Sequence, residues 1–342
     1  MPTALVTGAT GFVGSHVARA LLRAGWRVRA LVRPTSNTLA LEGLPVERFP
    51  GDLTEPATLR EAVRGVDAVF HVAALTAFWA PAPRSFFLVN VEGTRAICQA
   101  ALEAGVRRLV HTSTWAVIGP PPRGQPLTEE TPTDPRRLKG LYRLTKLYGE
   151  REALAFVGKG LEVVVVNPTV PVGPWDMKPT PSGRIVLDFL RGRLPAYVHT
   201  SLNLIAVEDV AEGHLLAYEK GRPGHRYILG HRNMTLKEVL DTLAAITGRQ
   251  APRLRIPIPL ALAAAYADHV VEGVLLRREP RLPLEGVWHA REWRVADVRK
   301  AVEELGLPQS PVEAALERAV RWYVDHGYVP GKAVPRLVTV KP

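Results

Sequence analysis

The chain has 342 residues, of which 46% are hydrophobic and 23% charged, and this composition is typical of a folded globular protein rather than a disordered chain. The formal net charge is +11, but the basic residues are scattered and form no run with interleaved aromatic residues, which argues against a nucleic-acid partner. The single cysteine, Cys98, excludes an internal disulfide and a multi-cysteine zinc site, and its apolar neighbours predict a buried side chain.

The first half of the chain alternates short apolar runs with amphipathic segments. Strand followed by helix, repeated along the chain, predicts an α/β fold with a doubly wound parallel sheet. The predicted strands cover residues 3–7, 27–32, 46–49, 68–72, 107–112 and 162–166. The predicted helices cover residues 12–24, 56–64, 86–104 and 141–156.

The pattern changes after Pro168, where a segment rich in proline and glycine begins. Two further strands are predicted at 204–207 and 227–229, with a helix at 208–219 between them, and the remainder is mostly helical. We therefore expect two domains and a tail. The first is a Rossmann-type domain at 1–167, which about 203–230 completes. The second is a smaller, mainly helical substrate domain at 168–202 and 231–327. The tail, at 328–342, is expected to be poorly ordered.

No targeting or membrane segment is expected. The N-terminus lacks the basic and apolar regions of a signal peptide. The most apolar later stretch, IPIPLALAAAYADHVVEGVLL, is interrupted by Asp268, His269 and Glu272 before about 18 apolar residues accumulate. A cytoplasmic protein without a membrane partner is the expectation. Many prolines and few Asn, Gln, Met and Cys residues also favour heat adaptation, although a GC-rich genome enriches proline too.

A glycine-rich turn follows the first predicted strand, in ALVTGATGFVGSHVARALLRAG. Gly8 would let the chain turn sharply, Gly11 would let the backbone approach a pyrophosphate, and Gly14 would let the helix pack closely on the sheet. The N-terminus of that helix presents free N–H groups and a positive dipole to phosphates. The turn therefore predicts dinucleotide binding, with Phe12 and Val13 among the contacts.

Arg33 stands where the NAD-binding version of this fold carries an acid that holds the ribose 2′-hydroxyl. A guanidinium there favours a 2′-phosphate, which a carboxylate would repel. Thr35 and Ser36 add hydroxyl donors. We therefore expect NADP rather than NAD, the alternative being that Arg33 stacks on adenine and discriminates nothing.

Further cofactor contacts are expected at the ends of the third and fourth strands. Two interpretations of Asp52 have equal weight. Its carboxylate either accepts a hydrogen bond from the adenine amine or caps the turn before the next helix. Leu53 follows it. Ala73 and Ala74 end the fourth strand, where small side chains leave room for the cofactor.

YRLTK places Tyr142 and Lys146 four residues apart on a predicted helix, and therefore on one face. A free phenol has a pKa of about 10, and a nearby ammonium lowers it. Tyr142 would then exchange a proton with the substrate oxygen while a hydride moves between carbon and nicotinamide, and Lys146 would also hold the ribose. A second such pair, Tyr328 and Lys332, contains Pro330 and Gly331, so a helix there is not expected.

Three hydroxyl residues end the fifth predicted strand and precede this helix. They are Thr112, Ser113 and Thr114. Because carboxyl ends of parallel strands line the cofactor crevice, Ser113 or Thr114 is expected to orient the substrate oxygen beside Tyr142. The histidines lack metal-ligand spacing, so no metal is expected, and His71 is interpreted as a hydrogen-bonded core residue.

The motifs TGATGFVG, Asp52-Leu53, HVAA, NVEGT, TSTWAVIG, YRLTK and NPTVPVGP, in this order, resemble those of the extended short-chain dehydrogenase/reductase family, also described as NAD-dependent epimerases/dehydratases. NLIAVEDVAEGHLLA, ITGRQAP and DVRKAVEELG extend the resemblance over nearly the whole chain. The most similar groups are dihydroflavonol-4-reductase-like reductases and hopanoid-associated sugar epimerase-like proteins.

The resemblance implies that Tyr142 and Lys146 are the catalytic pair, with Thr114 in the place of the family's catalytic serine. It implies that Asn90 supports the active-site backbone and that Asn167 and Pro168 line the nicotinamide pocket. It also suggests a homodimer through the helix at 141–156. Many sugar-nucleotide enzymes of the family read VYG where this chain reads VIG, so Ile118 weakens a sugar-nucleotide function.

The sequence is therefore consistent with three functions. The leading one is an NADP-dependent reductase of a ketone or aldehyde. The second is a sugar epimerase or dehydratase that retains NAD through its cycle. The third is a non-catalytic dinucleotide-binding regulator, against which the retention of Thr114, Tyr142 and Lys146 argues.

Overall fold

The computed structural model of the protein describes residues 1–122 and 124–330. The strands of this part are β1 Thr3–Thr7, β2 Arg27–Val32, β3 Val46–Pro50, β4 Ala68–His71, β5 Arg108–Thr112, β6 Glu162–Pro168, β7 Val170–Val172, β8 Ala196–Val198, β9 Ser201–Ala206, β10 Arg226–Leu229, β11 Arg232–Thr235 and β12 Leu254–Ile256. The α-helices are α1 Phe12–Arg23, α2 Pro56–Ala62, α3 Arg84–Phe87, α4 Gly93–Glu103, α5 Leu141–Leu154, α6 Pro181–Leu190, α7 Val207–Lys220, α8 Leu236–Thr247, α9 Ile258–Asp268, α10 Leu284–Arg291 and α11 Val312–Asp325.

The central sheet has seven strands in the order β10-β6-β5-β4-β1-β2-β3, and every pair in it is parallel. The strand order reverses at β1, which pairs with β2 on one side and β4 on the other. In a sheet of this kind the ligand binds at that reversal, beyond the carboxyl ends of the strands. Thr7, the last residue of β1, is in register with Leu31 and His71, so these strand ends lie together.

Two apolar cores cover the faces of this sheet, as the predicted α/β fold class requires. On one face α1 and α7 pack together, and on the other face α2 and α4 do. The apolar run Val163–Val166 is fully buried, as expected for a central parallel strand. Cys98 lies in the second core and burial raises its pKa to about 12, so the predicted buried role is confirmed.

The six predicted strands of the first half are confirmed, with small changes at their ends. The helix predicted at 86–104 is confirmed as one continuous helical segment from Arg84 to Glu103, but a π-helical turn at Leu88–Glu92, which was not predicted, joins α3 to α4. A π-helical turn inserts one residue into the helix and is common beside functional sites. Here it carries Asn90, which periodicity alone does not reveal.

Only one of the two later strands joins the central sheet. β10 pairs with β6 at the edge of that sheet. The strand expected at 204–207 is β9, which instead pairs with β7 in parallel and with β11 in antiparallel fashion in a separate small sheet. Helices α6, α8 and α11 pack a third core against this sheet, so the second half contains strands as well as the predicted helices.

The chain after α11 is described as far as Pro330. The hydroxyl of Tyr328 donates to the Met177 carbonyl over 2.7 Å, and Val329 is buried, so the start of the predicted tail is packed on the protein. The rest of that tail, including Lys332 of the second Tyr/Lys pair, lies outside the described residues.

Within residues 1–122 and 124–330, one helix is long and apolar enough to cross a membrane when only length and composition are considered. It comprises α9 and a π-helical continuation at His269–Leu275, and 11% of Ile258–Leu275 is buried. Length and composition alone therefore do not exclude a membrane segment, although the polar residues Asp268, His269 and Glu272 lie within it.

Candidate active site

The glycine-rich turn lies at the carboxyl end of β1, where two of its glycines are sterically required. Gly8 has a φ of +71°, and a Cβ there would lie 2.7 Å from the backbone of Ala73. A Cβ on Gly14 would lie 2.1 Å from the carbonyl oxygen of Gly8. The close approach predicted for Gly14 is therefore made to the turn itself, which fixes the start of α1 against the end of β1.

The N-terminus of α1 is open toward solvent. Gly11 is exposed at the N-cap, and no side chain in the described part of the chain caps this helix. Phe12 is buried, and the half-buried Val13 packs against the core of the central sheet. Because their side chains turn inward while the first helical N–H groups have no intrahelical partner, this terminus suits the pyrophosphate of a dinucleotide.

Arg33 and Asp52 follow the ends of β2 and β3. Arg33 is exposed, and its carbonyl accepts from the Ser36 N–H in a tight turn over 2.9 Å. Oδ1 of Asp52 accepts from the N–H and the hydroxyl of Thr54 at 2.9 and 2.8 Å. Asp52 therefore stabilises the turn before α2, which was one of the two roles predicted for it. The adenine contact stays a prediction. Leu53 is buried in the apolar core that α2 and α4 form on the sheet, and its contact with the cofactor stays a prediction.

The segment after β4 adjoins the glycine-rich turn. The Ala73 N–H donates to the Thr7 hydroxyl over 3.1 Å, and Ala73 and Ala74 are half-buried. The side chain of Asn90 accepts from the Leu75 N–H at 2.7 Å and donates to the Thr145 hydroxyl at 3.1 Å. Asn90 therefore ties the backbone after β4 to α5, in keeping with the supporting role that the resemblance implies.

Thr114 and Tyr142 meet at the carboxyl end of β5. A hydrogen bond joins their side chains, and Thr114 also accepts from the Ala116 N–H over 3.2 Å. Ser113 is buried too, but its hydroxyl has no partner among the described residues. The sequence left Ser113 and Thr114 as alternatives for this position, and in the structure the Thr114 hydroxyl is the one that lies beside Tyr142.

Lys146 lies one turn after Tyr142 and is buried. Its ammonium donates to the carbonyl oxygen of Thr112 over 2.6 Å, and burial lowers its pKa to about 8. The Thr112 hydroxyl is bonded to Nε2 of His214 at 2.8 Å, so Thr112 contributes its backbone rather than its side chain. This carbonyl holds Lys146 at the end of β5.

The expected effect of Lys146 on Tyr142 is not found. Burial raises the pKa of Tyr142 to about 12, the hydrogen bond from Thr114 opposes that rise, and the charge of Glu285 adds to it. The physical reason is that desolvation, which disfavours the phenolate, is the largest effect on the pKa of Tyr142. At neutral pH Tyr142 is therefore a neutral phenol that is able to donate a proton.

Asn167 and Pro168 end β6 and are buried. The Asn167 amide donates to the Thr114 carbonyl at 3.1 Å and to Oε2 of Glu150 at 3.0 Å. Asn167 thereby fixes the backbone that carries Thr114. The contact of both residues with nicotinamide stays a prediction from the resemblance.

Sequence analysis missed Glu285, which lies on α10 beside the start of α5. Its carboxylate accepts from the Arg143 N–H at 3.4 Å, and it fills the space that a Cβ on Gly140 would occupy. Burial raises its pKa to about 8, against the opposing effects of the Arg143 and Tyr142 N–H groups and the Arg143 charge. A Glu-x-x-x-His spacing with His289 was visible in the sequence, but its position near Tyr142 was not.

Aromatic and basic side chains lie around Tyr142 and Glu285. Phe78 lies edge-on to Tyr142 and to His289, with ring centroids 6.1 and 5.1 Å apart. Arg143 is fully buried and donates to the Ala116 carbonyl at 2.7 Å and to Glu292 at 2.8 Å. The C-terminal segment is thus fastened to the loop that follows Thr114.

His71 is the core residue that the sequence predicted. Its two ring nitrogens lie 2.8 Å from the Thr7 hydroxyl and 3.0 Å from the Thr94 hydroxyl, and burial lowers its pKa to about 3. Among residues 1–122 and 124–330, no group of three or more His, Cys, Asp or Glu side chains is arranged to hold a metal ion.

Residues 4–230 match the family model described as the NAD dependent epimerase/dehydratase family. The chain belongs to this family. The family resemblance drawn from the sequence motifs is thereby confirmed, and with it the class of NAD(P)-dependent oxidoreductases and related enzymes.

Two relatives span almost the whole chain. A Synechocystis protein provisionally named a dihydroflavonol 4-reductase is 44% identical over 95% of this chain and 95% of its own length. Sterol demethylase protein B of Methylococcus capsulatus is 37% identical over 96% of this chain and 100% of its own length.

Solved structures show the same fold. The crystal structure of gox2253 has a TM-score of 0.85 and 40% identity, covering 96% of this chain and 99% of that one. The dTDP-glucose 4,6-dehydratase of Streptomyces venezuelae, solved with NAD bound, has a TM-score of 0.76 and 25% identity, covering 96% and 99% of the two chains.

Proposed function

We propose that this protein is an NADP-dependent reductase that converts a ketone or aldehyde to the alcohol. The observation that carries the proposal is the neutral Tyr142 phenol, hydrogen-bonded to Thr114 at the carboxyl end of β5 and raised in pKa to about 12. Reduction of a carbonyl needs a proton donor at oxygen, and the phenol of Tyr142, which is neutral at pH 7, supplies one. The match over 95% of the chain to a relative provisionally named a dihydroflavonol 4-reductase also supports a carbonyl reductase.

The residues have distinct roles in this proposal. The bound dinucleotide supplies a hydride to the carbonyl carbon. Tyr142 gives its phenolic proton to the carbonyl oxygen, and the phenolate regains a proton from solvent. Thr114 donates a hydrogen bond that orients the same oxygen, and Lys146 holds the ribose near the end of β5.

Arg33 supports NADP over NAD. Its guanidinium is exposed beyond the end of β2 and forms no ion pair within residues 1–122 and 124–330. Thr35 and Ser36 follow it in the same tight turn and provide two further hydroxyl donors in this segment. The uncapped N-terminus of α1 would accept the pyrophosphate of the same dinucleotide.

A sugar epimerase or dehydratase that retains NAD is the second candidate, favoured by the similarity to a dTDP-glucose 4,6-dehydratase. Ile118 argues against it. This side chain is fully buried in a cluster with Trp115 and Val117, so it offers no hydroxyl to a sugar nucleotide. The relative named sterol demethylase protein B adds sterols to the candidate substrates of the proposed reductase.

The test is to denature freshly purified protein, identify any released dinucleotide by mass spectrometry, and titrate the purified protein with NADPH and NADH. The reductase proposal predicts protein free of stoichiometric NAD that binds NADPH more tightly than NADH. Stoichiometric NAD in the purified protein contradicts the reductase and supports the retained-cofactor alternative.

A further inference from the structure

An exposed apolar face runs along the helix formed by α9 and its continuation to Leu275. At 1.5 Å per residue this 18-residue helix is about 27 Å long. The apolar face consists of Leu260, Ala264, Ala267, Val271, Val274 and Leu275; the first five recur every three to four residues, Leu275 follows directly, and all six are exposed. Leu275 is 70% exposed and Leu260 60%, and a contiguous exposed apolar patch of this kind marks an interaction surface.

The polar side chains of the same helix lie on its inner side. Oδ2 of Asp268 accepts from the Leu282 N–H over 2.8 Å, and Asp268, His269 and Glu272 are all half-buried. A water-exposed helix normally places its polar residues outward and its apolar residues inward. The inner side of this helix carries the three polar residues together with buried alanines, whereas its outer face is apolar, so the outer face suits an apolar environment.

The inner side also holds the helix on the protein. Ala261 and Ala265 are buried and form a small core with Val287 of α10, and Tyr266 packs edge-on against Trp288 at 6.5 Å. The helix is therefore attached along its length and is placed to lie on a bilayer rather than to cross it.

Positive charge borders the apolar face at both ends. Arg253 and Arg255 precede the helix, and Arg277, Arg278 and Arg281 follow it, and all five are exposed. Glu272 lies 3.6 Å from Arg281, and the acidic Glu279 is paired with Arg184 at 2.6 Å. An apolar face with a cationic border complements a bilayer that carries anionic headgroups. Two copies meeting through this face would instead bring like charges together.

We propose that this face docks on the surface of an anionic lipid bilayer. The sequence favoured no membrane partner because three polar residues interrupt the apolar run, but the structure shows that those residues turn away from the apolar face. Gly273 lies beside Trp79, next to Phe78 of the candidate active site, since a Cβ on Gly273 would be 3.3 Å from the Trp79 ring nitrogen. Docking brings the candidate active site close to the bilayer.

The test is sedimentation of the full-length protein with vesicles of phosphatidylcholine and phosphatidylglycerol, compared with phosphatidylcholine alone. The variant Val271→Gln/Val274→Gln/Leu275→Gln removes the apolar side chains without adding charge. Leu39→Gln is the matched control, because Leu39 is an exposed leucine on the turn between β2 and β3. All three proteins should share one melting temperature, since the replaced side chains are exposed.

We expect the wild-type protein and Leu39→Gln to pellet with the anionic vesicles, and high salt to weaken this binding. The triple variant should partition at least about tenfold less. Wild-type protein that stays in the supernatant overturns the proposal, as does equal pelleting of the triple variant. Gel filtration that shows a wild-type dimer and a monomeric triple variant, without vesicle binding, assigns the face to a second copy and also overturns it.

Discussion

Glu285 of α10 lies against the first turn of α5, where its carboxylate accepts from the Arg143 N–H at 3.4 Å and its charge raises the pKa of Tyr142. Burial in turn raises the pKa of Glu285 from 4.5 to about 8. A proton-donating phenol and a titrating carboxyl group thus share one wall, although 142 residues separate Glu285 from Arg143 in sequence.

The raised pKa of Glu285 predicts a pH-dependent stability. Because its folded pKa lies above its unfolded value, its contribution is fully present below about pH 4.5 and is lost as pH rises toward about 8. Glu285→Gln does not titrate, so its melting temperature should fall less than that of wild type between pH 5 and 8.5. Differential scanning calorimetry at both values, with the exposed Glu130→Gln as control, measures this. Parallel curves for wild type and Glu285→Gln would show that the carboxyl titrates normally.

The hydrogen bond between Thr114 and Tyr142 predicts which hydroxyl at the end of β5 serves catalysis. Thr114→Ala should lower kcat about 10²-fold, because a positioned donor at the substrate oxygen is lost. Thr114→Ser should restore most of the activity, since it returns the hydroxyl. Ser113→Ala removes an equally buried hydroxyl and should stay near wild type in steady-state assays. A large loss in Ser113→Ala with an active Thr114→Ala would reverse the assignment.

The contact between Gly14 and the Gly8 carbonyl predicts a steric cost for any side chain there. Gly14→Ala should destabilise the protein by about 1–3 kcal/mol and weaken dinucleotide binding, because α1 must move from the end of β1. Gly158→Ala is the control, since a Cβ at Gly158 meets nothing within 4 Å. Chemical denaturation and NADPH titration of both variants measure the difference. Gly14→Ala with wild-type stability and affinity would show that the turn adapts freely.

The position of Arg33 after β2 predicts that the protein prefers NADPH to NADH. Arg33→Asp should raise the Kd for NADPH at least about tenfold and leave that for NADH nearly unchanged, because a carboxylate repels the 2′-phosphate. Arg48→Asp makes the same charge change on β3, in register with Ala30 and away from the carboxyl edge, and should alter neither value much. Fluorescence titration gives both constants. An unchanged preference in Arg33→Asp would remove Arg33 from 2′-phosphate recognition.

Features encoded by nearby residues were predictable from sequence. The glycine-rich turn, the six parallel strands and the pairing of Tyr142 with Lys146 on one helix depend on short patterns that set backbone geometry directly. Features set by distant contacts were not. The position of Glu285, the bond from Lys146 to the Thr112 carbonyl, and the placement of β9 outside the central sheet each depend on tertiary packing.

Hydride transfer by this protein is tested by turnover of a carbonyl substrate with NADPH carrying deuterium at the transferred position, followed by mass spectrometry of the product. We expect deuterium at the carbinol carbon, one NADP⁺ formed per alcohol, and about 10²–10⁴-fold slower turnover in Tyr142→Phe with an unchanged Kd for NADPH. Tyr142→Phe turnover at the wild-type rate would contradict the proposed role of Tyr142. Conversion without net consumption of NADPH would contradict the reductase itself.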